Sequence, residues 1–308
     1  MRKGAQTLIV SLWILVILTF LAIGIGQRVS MALRLSRYHR DKLKASCLAK
    51  AGLNIAIAQL EKDTNGYDAL NETWAGNLEL FKKIVISGNE NEFTTVGVSD
   101  EERKININTA SKELLAALLE QYDINASGEV VDNILIWRGD IPDDKKIYEL
   151  LGYPAKAARF TNSEELRLIK GIAPDGYQKI KQIITVYGDV TVNGKASINI
   201  NTASIEVLNI FSRGIARSLG IEEKFADSLI VKINELRNNK GPFKDKGDIT
   251  VVATGSEELN ILGSLINSVV FQSNFFLIEV TGNVGKIKDK VKVVYNRLNN
   301  TIVYWHES

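Results

Sequence analysis

Asp140, Asp143 and Asp144, grouped around Pro142, place enough carboxylate oxygen in one loop to hold calcium, a hard cation that takes oxygen ligands. Three acidic residues in a loop are equally an ordinary solvated surface. A phosphate loop is the second chemistry to test. VNGKAS, Val192–Ser197, has the Gly-Lys pair, but Ala196 stands where a hydroxyl is needed and no glycine lies five positions before Gly194, so the segment reads as a turn. The two histidines, His39 and His306, are too few for a histidine-based metal site or a catalytic triad, and the one cysteine, Cys47, excludes an intrachain disulfide. Trp74, Trp137 and Trp305 lie in no basic stretch and read as packing residues rather than platforms for nucleic-acid bases. No constellation supports an enzyme, and no cofactor is required.

One phrase is written twice. KININTASKELL, Lys104–Leu115, returns as SININTASIEVL, Ser197–Leu208, 93 positions later. That period is too long for a solenoid, whose repeats run to roughly 20–50 residues, and it implies two related small domains. Within each copy, isoleucine and asparagine alternate as in a strand. Asn108, Thr109 and Ser111, or Asn201, Thr202 and Ser204, then offer side-chain oxygens to the free amides of a starting helix. Leu114, Leu115, Leu118 and Leu119 form the buried stripe expected of the first helix; Ile205, Leu208 and Phe211 form that of the second.

These domains sit in a chain of 308 residues with 45% hydrophobic and 24% charged side chains, enough for a globular core, and a net charge of +2 that favours no class of partner. After Arg2 and Lys3 nothing charged appears from Gly4 to Gln27, a run long enough to cross a bilayer as a helix. A signal peptide is the competing reading, with Gly24 and Gly26 imitating a cleavage site; the run is longer than such a peptide needs. Counting Arg28, Arg34, Arg37, Arg40, Lys42, Lys44 and Lys50 after the span would put the bulk of the protein inside. The helix is expected to continue to Leu60 with Leu43, Cys47, Ala51, Ile55 and Ala58 on one face, and to stop at Asp63, Asn65 and Gly66.

Short strands are expected at Glu92–Val98 and Ile105–Ile107 around the acidic break SDEER, and a β-meander at Phe275–Thr281, Ile287–Arg297 and Thr301–His306. Between these lies helical periodicity. Thr161 and Glu164 have capping-box spacing before a helix EELRLIK, Gly171 ends it, and Asp175 opens the next; Glu222–Arg237 reads as a further helix. The order INTAS, helix, Gly171-Ile172-Ala173 hairpin and helix resembles the helix-hairpin-helix domains of membrane-anchored competence DNA receptors. Those hold a DNA phosphate on backbone amides of a Gly-x-Gly hairpin, whose second glycine is replaced here by Ala173.

Taken in order, KGAQTLIVSLW, DEERKININTAS, NILIWRGD, SEELRLIKGI, VYGDVTVNGKASININTAS and IVYWHES span nearly the whole chain and resemble the general secretion pathway protein K family, the large minor pseudopilins of type II secretion systems. The resemblance implies an α+β fold. A long transmembrane and amphipathic helix backs a pilin-like antiparallel sheet, which carries an inserted α-helical domain of two SAM-like, helix-hairpin-helix-like units. It divides the chain into a leader 1–4, a span 5–26, a pseudopilin section 27–104, helical units 105–196 and 197–267, and a closing meander 268–308.

It also implies cleavage by a prepilin peptidase after Gly4, N-methylation of Ala5, and Ile9 where most pilins carry glutamate. A single-pass inner-membrane location with the head in the periplasm follows, against the charge count. The implied partners are other minor pseudopilins in a tip complex and the inner-membrane platform of the secretion system, with nucleic acid not expected. Where the family commonly carries an acidic residue before the tryptophan of this stretch, Leu135 and Ile136 precede Trp137, which weakens the carry-over of its calcium sites.

Overall fold

The computed structural model describes residues 2–75, 83–85, 88–124, 128–188 and 196–308, with side chains from Leu8 onward. The side chains of Gly4 and Ala5 and most of the VNGKAS turn therefore lie outside the described residues. Helix α1 (Arg2–Lys62) runs unbroken for 61 residues, about 90 Å at about 1.5 Å per residue. Strands β1 (Ile84–Val85), β2 (Glu92–Asp100) and β3 (Ile105–Asn106) follow. Then come α2 (Lys112–Gln121), α3 (Gly128–Arg138), α4 (Ile147–Leu150), α5 (Pro174–Ile180) and β4 (Ile184–Thr185). The second unit holds β5 (Ile198–Asn199), α6 (Ile205–Leu219), α7 (Glu223–Lys240), α8 (Gly247–Thr250), α9 (Ser256–Ile266) and β6 (Val269–Val270). The last strands are β7 (Phe275–Val284), β8 (Ile287–Asn296) and β9 (Thr301–Glu307).

The five-stranded antiparallel sheet has the order β1-β2-β7-β8-β9. Strands β2 and β7 are neighbours, in register from Glu92 opposite Val284 to Asp100 opposite Phe276, so everything between them is an insertion. Each inserted unit is closed by a two-residue parallel pair: Ile105 lies against Ile184 in the first and Ile198 against Val269 in the second. Parallel strands need a long crossover between them, and here the crossover is the helical unit itself.

α1 changes environment along its length. From Leu8 to Arg40 it is bare, and its best apolar window has a mean hydropathy of 2.9, enough by length and composition to cross a membrane. From Asp41 onward it packs on β2, β7 and β8 through Ala45, Leu48, Ala49, Gly52, Leu53, Ala56 and Leu60. The stripe expected from the sequence lies on the other side: Leu43 is 67% exposed, Ile55 38%, and Cys47 and Ala58 are also exposed. The reason is steric. Helix and sheet meet where a side chain on Gly52 or Gly282 would collide with the opposite backbone or side chains, so the face that carries Gly52 is the one that can come close, and Leu48, Leu53 and Leu60 beside it fill the core.

The two helical units share one hydrophobic core. α6 crosses α2 at Gly214, where a Cβ would lie 2.8 Å from Leu114 Cα. Around that crossing Arg217 pairs with Glu120, Arg213 donates to Gln121 at 3.0 Å, and Tyr122 donates to Glu206 at 2.6 Å. Leu208 and Phe211 are buried as expected, but Ile205 is exposed at the start of α6. The expected helix EELRLIK is a short 3-10 helix, Ser163–Leu168, capped by Asn162 and Glu165 rather than by Thr161 and Glu164.

Candidate functional site

The repeated phrase binds its own chain. Asn106 accepts the Asn108 amide at 2.9 Å, and Asn199 accepts the Asn201 amide at 3.0 Å, fixing a tight turn after each opening strand. Asn108 then pairs both ways with Phe160, accepting its amide at 2.7 Å and donating to its carbonyl at 2.9 Å; Asn201 does the same with Phe243 at 2.9 and 2.8 Å. Ser111 and Ser204 cap the following helices. From the end of α3, Arg138 donates to the carbonyls of Ile107 and Ala110, and from α7 Arg237 donates to those of Ile200 and Ala203. Each phrase is thus a polar clamp that satisfies buried backbone groups and ties strand, helix and loop together.

A second, fainter repeat completes the clamp. Phe160-Thr-Asn-Ser-Glu-Glu-Leu166 and Phe243-Lys-Asp-Lys-Gly-Asp-Ile249 share a buried aromatic, an amide-accepting Asn162 or Asp245, and a buried Leu166 or Ile249. Glu165 accepts the Thr161 amide at 2.9 Å as Asp248 accepts that of Lys244 at 2.7 Å. The signal was present as Phe-x-Asn/Asp-x-x-Glu/Asp-apolar, but only the phenylalanine is identical, and the sequence reading missed it.

The acidic break proved to be the hub of the head. Asp100, Glu101 and Glu102 are all buried, and each faces a different part. Asp100 accepts from the Thr202 hydroxyl of the second phrase, from Ser273 at 2.8 Å and from the Glu102 amide at 2.7 Å. Glu101 takes Lys104 and the Thr185 hydroxyl of the first unit. The Glu102 carbonyl accepts the Asn199 amide at 2.8 Å and its carboxylate accepts the Asn274 amide. Beside them Asp68, with no exposed surface, holds Arg297 at 2.6 Å and the Ser273 amide at 2.6 Å, while Asn199 donates to Ser273.

Burial pushes the Asp100 carboxyl up to about 6, against the pull of its Thr202 and Ser273 hydrogen bonds, and pushes Asp63 up to about 6 as well, helped by Glu72 and Asp68. A carboxyl raised in the folded state takes up a proton on folding, so stability rises as the pH falls through 6 toward the unfolded value. Glu165 and Glu258 act in the opposite sense: burial raises them, but Lys156 and Lys232 with neighbouring donors outweigh it and bring both to about 2. Stability from these two is lost below about pH 4.5. Thermal melts should therefore show Tm rising from about pH 7.5 to about 5.5, and Asp100→Asn should flatten part of that rise. An unchanged slope in the variant would place the titration elsewhere.

The sequence-predicted carboxylates do not converge on a cation. Asp140 is ion-paired with Arg138, and Asp143 accepts the amides of Ile147 and Tyr148 at the start of α4, while Asp144 is exposed. That set fits an ion pair and a helix cap. Asp63, Asp68 and Glu72 come closer, within 4.8 Å, but Arg297 already lies among them, and Glu72 holds Trp74 Nε1 and the Ala69 amide, so the donor set fits a guanidinium. The Gly171-Ile172-Ala173 hairpin is tied into its own unit. The Ile172 amide donates to Ile169, the space beside Gly171 is filled by Val130, and Pro174 at the first turn of α5 has no N–H. Trp74 and Trp137 are buried as expected, whereas Trp305 is 43% exposed on β9. Ile9 lies in the bare, apolar section of α1.

No family model and no curated protein matches the sequence. Among solved structures, a chain of the GspK-GspI-GspJ complex from the type 2 secretion system of enterotoxigenic Escherichia coli is similar with a TM-score of 0.66 at 13% identity, over 89% of this chain and 99% of that one. Over that share of its length, a long helix against an antiparallel sheet with a helical insertion, the chain has the fold of a GspK-like pseudopilin.

Proposed function

We propose that this chain is a minor pseudopilin of a type II secretion system, a non-enzymatic subunit that joins other minor pseudopilins to start and then cap a short periplasmic filament. The observation that carries this reading is α1. One helix is bare and apolar for its first half, forms the spine of the sheet in its second, and keeps exposed Leu43, Cys47, Ile55 and Ala58, with half-buried Ala51 between them. A soluble monomer gains nothing from such a stripe, whereas a subunit beside other helices can bury it.

In this reading a prepilin peptidase cuts after Gly4 and Ala5 becomes the methylated amino terminus. The fifth mature residue is then Ile9. A carboxylate at that depth is costly in lipid unless paired, so an apolar residue there removes the need for a neighbour above. The two-unit insertion adds a bulk that could be placed once at a tip but not repeated in a packed filament. The head faces the periplasm, with the basic residues after the span near headgroups or partners, and the inner-membrane platform supplies the motive force.

Mass spectrometry of the chain purified from membranes should give an N-terminus at methylated Ala5; an end at Gln27 would make the apolar run a signal peptide and remove the pilin reading. Affinity capture of the tagged full-length chain from the same membranes should recover other pilin-like subunits.

A further inference from the structure

The outer edge of the sheet, β9, is built to receive a strand. Lys290 and Ser308 exchange two backbone hydrogen bonds at 2.9 Å, and the register then pairs Lys292 with His306 and Val293 with Trp305. Bonded and non-bonded pairs alternate along an antiparallel ladder, so the N–H and C=O groups of Trp305 and Glu307 point away from β8, and no strand pairs with them among the described residues. A register shift at Val294/Tyr295 disturbs only the first half of the strand. β9 has neither lysine nor proline, and its edge guards are one charged residue, Glu307, and that register shift. The opposite edge, β1, is two residues long.

Side chains on both faces define the occupant. On the α1 side, the buried row of Val293 and Tyr295 continues past the helix onto Trp305 and Ile302, which are 43% and 41% exposed. On the other side, Lys288, Lys290 and Lys292 project in a row along β8; Lys292 pairs with Glu279, and among the described residues Lys288 and Lys290 have no ion pair. A lysine side chain is long enough to lean over Ser308 or His306 toward the next strand position.

We infer that β9 pairs with an extended segment of another pseudopilin subunit, apolar at alternate positions against Trp305 and Ile302 and acidic at the positions between, facing the lysine row. This rests on the proposed assembly with other pseudopilins and names the surface that meets one of them. An extended backbone is the occupant that satisfies a row of alternating N–H and C=O groups, and side-chain pockets on either face then supply selectivity.

The test uses the full-length chain captured from membranes that contain the other pseudopilins. Trp305→Pro removes an outward N–H that β8 does not use, so the fold should keep its Tm within a few degrees while partner recovery falls about tenfold. Trp305→Thr keeps the N–H and should lose much less. Recovery by Trp305→Pro equal to wild type overturns the inference and leaves the assembly reading standing; no recovery by the wild type overturns both. A photo-reactive phenylalanine analogue at position 307 reads the same edge with the wild-type backbone intact. Adducts in an extended, acid-bearing segment of a partner subunit support the pairing, and adducts confined to helices, or none, overturn it.

Discussion

Gly282→Val should detach α1 from the sheet. A Cβ at Gly282 would overlap the Ala45 carbonyl oxygen and lie 2.7 Å from the Ala49 nitrogen, and both are backbone atoms of a rigid helix that cannot swing aside. Overpacking a flexible core typically costs about 1–3 kcal/mol; here either helix or strand must shift along a contact that also carries Gly52, Leu53, Ala56 and Leu60. The expected result is loss of a cooperative melt, with protease cutting between residues 62 and 92 while the helical units stay protected. Gly263→Ala is the matching control: that glycine lies within α9 with nothing near a new Cβ, and alanine there should stabilise by about 0.5–1 kcal/mol. A Gly282→Val protein that melts like the wild type would mean that the close approach of helix to sheet is wrong.

The second large effect is expected at Arg297. Its guanidinium holds Asp68 through two hydrogen bonds, 3.0 and 2.6 Å, donates to the Ser273 carbonyl and lies 5.0 Å from the centre of the Phe276 ring. Burial alone pushes the Asp68 carboxyl up, and Arg297 opposes that push. Arg297→Ala leaves a buried carboxylate without its partner, a loss of about 3–5 kcal/mol. The loss should shrink as the pH is lowered, because Asp68 then takes a proton and its charge disappears. Arg297→Lys should not restore the wild-type melt, since an ammonium cannot reproduce the two-pronged contact. Melts of the three proteins at neutral and mildly acidic pH check this, and an Arg297→Ala deficit that is the same at both would exclude Asp68 as the source.

Much of the architecture was legible before any coordinates. The apolar run and the absence of breakers gave the long helix, the repeated ININTAS gave two related units, and the spacing of turns gave the closing meander. What failed did so for identifiable reasons. Periodicity located an apolar face on α1 at Leu43, Cys47, Ala51, Ile55 and Ala58, but the buried face is that of Ala45, Leu48, Ala49, Gly52, Leu53, Ala56 and Leu60; the helix has two apolar faces, and the close approach of Gly52 and Gly282 decides which one meets the sheet. SDEER reads as an acidic break between strands; its three adjacent acidic residues are buried because Thr185, Thr202, Ser273 and Asn274 bring hydroxyls and an amide to them, and no local pattern announces partners so far away in sequence. Trp305 looked like core and is an exposed edge residue, a distinction that rests on which strand comes last in the sheet.

The pairing of β2 with β7 also sets a timetable. Glu92 finds Val284 only across the whole helical insertion, and closing so long a loop is slow compared with forming the local contacts of α2 to α9. A chain delivered from its amino terminus therefore has its long helix made, and its helical units able to collapse, well before β7, β8 and β9 arrive. During that interval the face of α1 that meets β7 and β8 lacks those strands, Asp100 and Glu102 lack Ser273 and Asn274, and Asp68 lacks Arg297. The nascent chain is thus open along one face of its long helix, and completion of its last three strands is the step that commits the head to its mature shape.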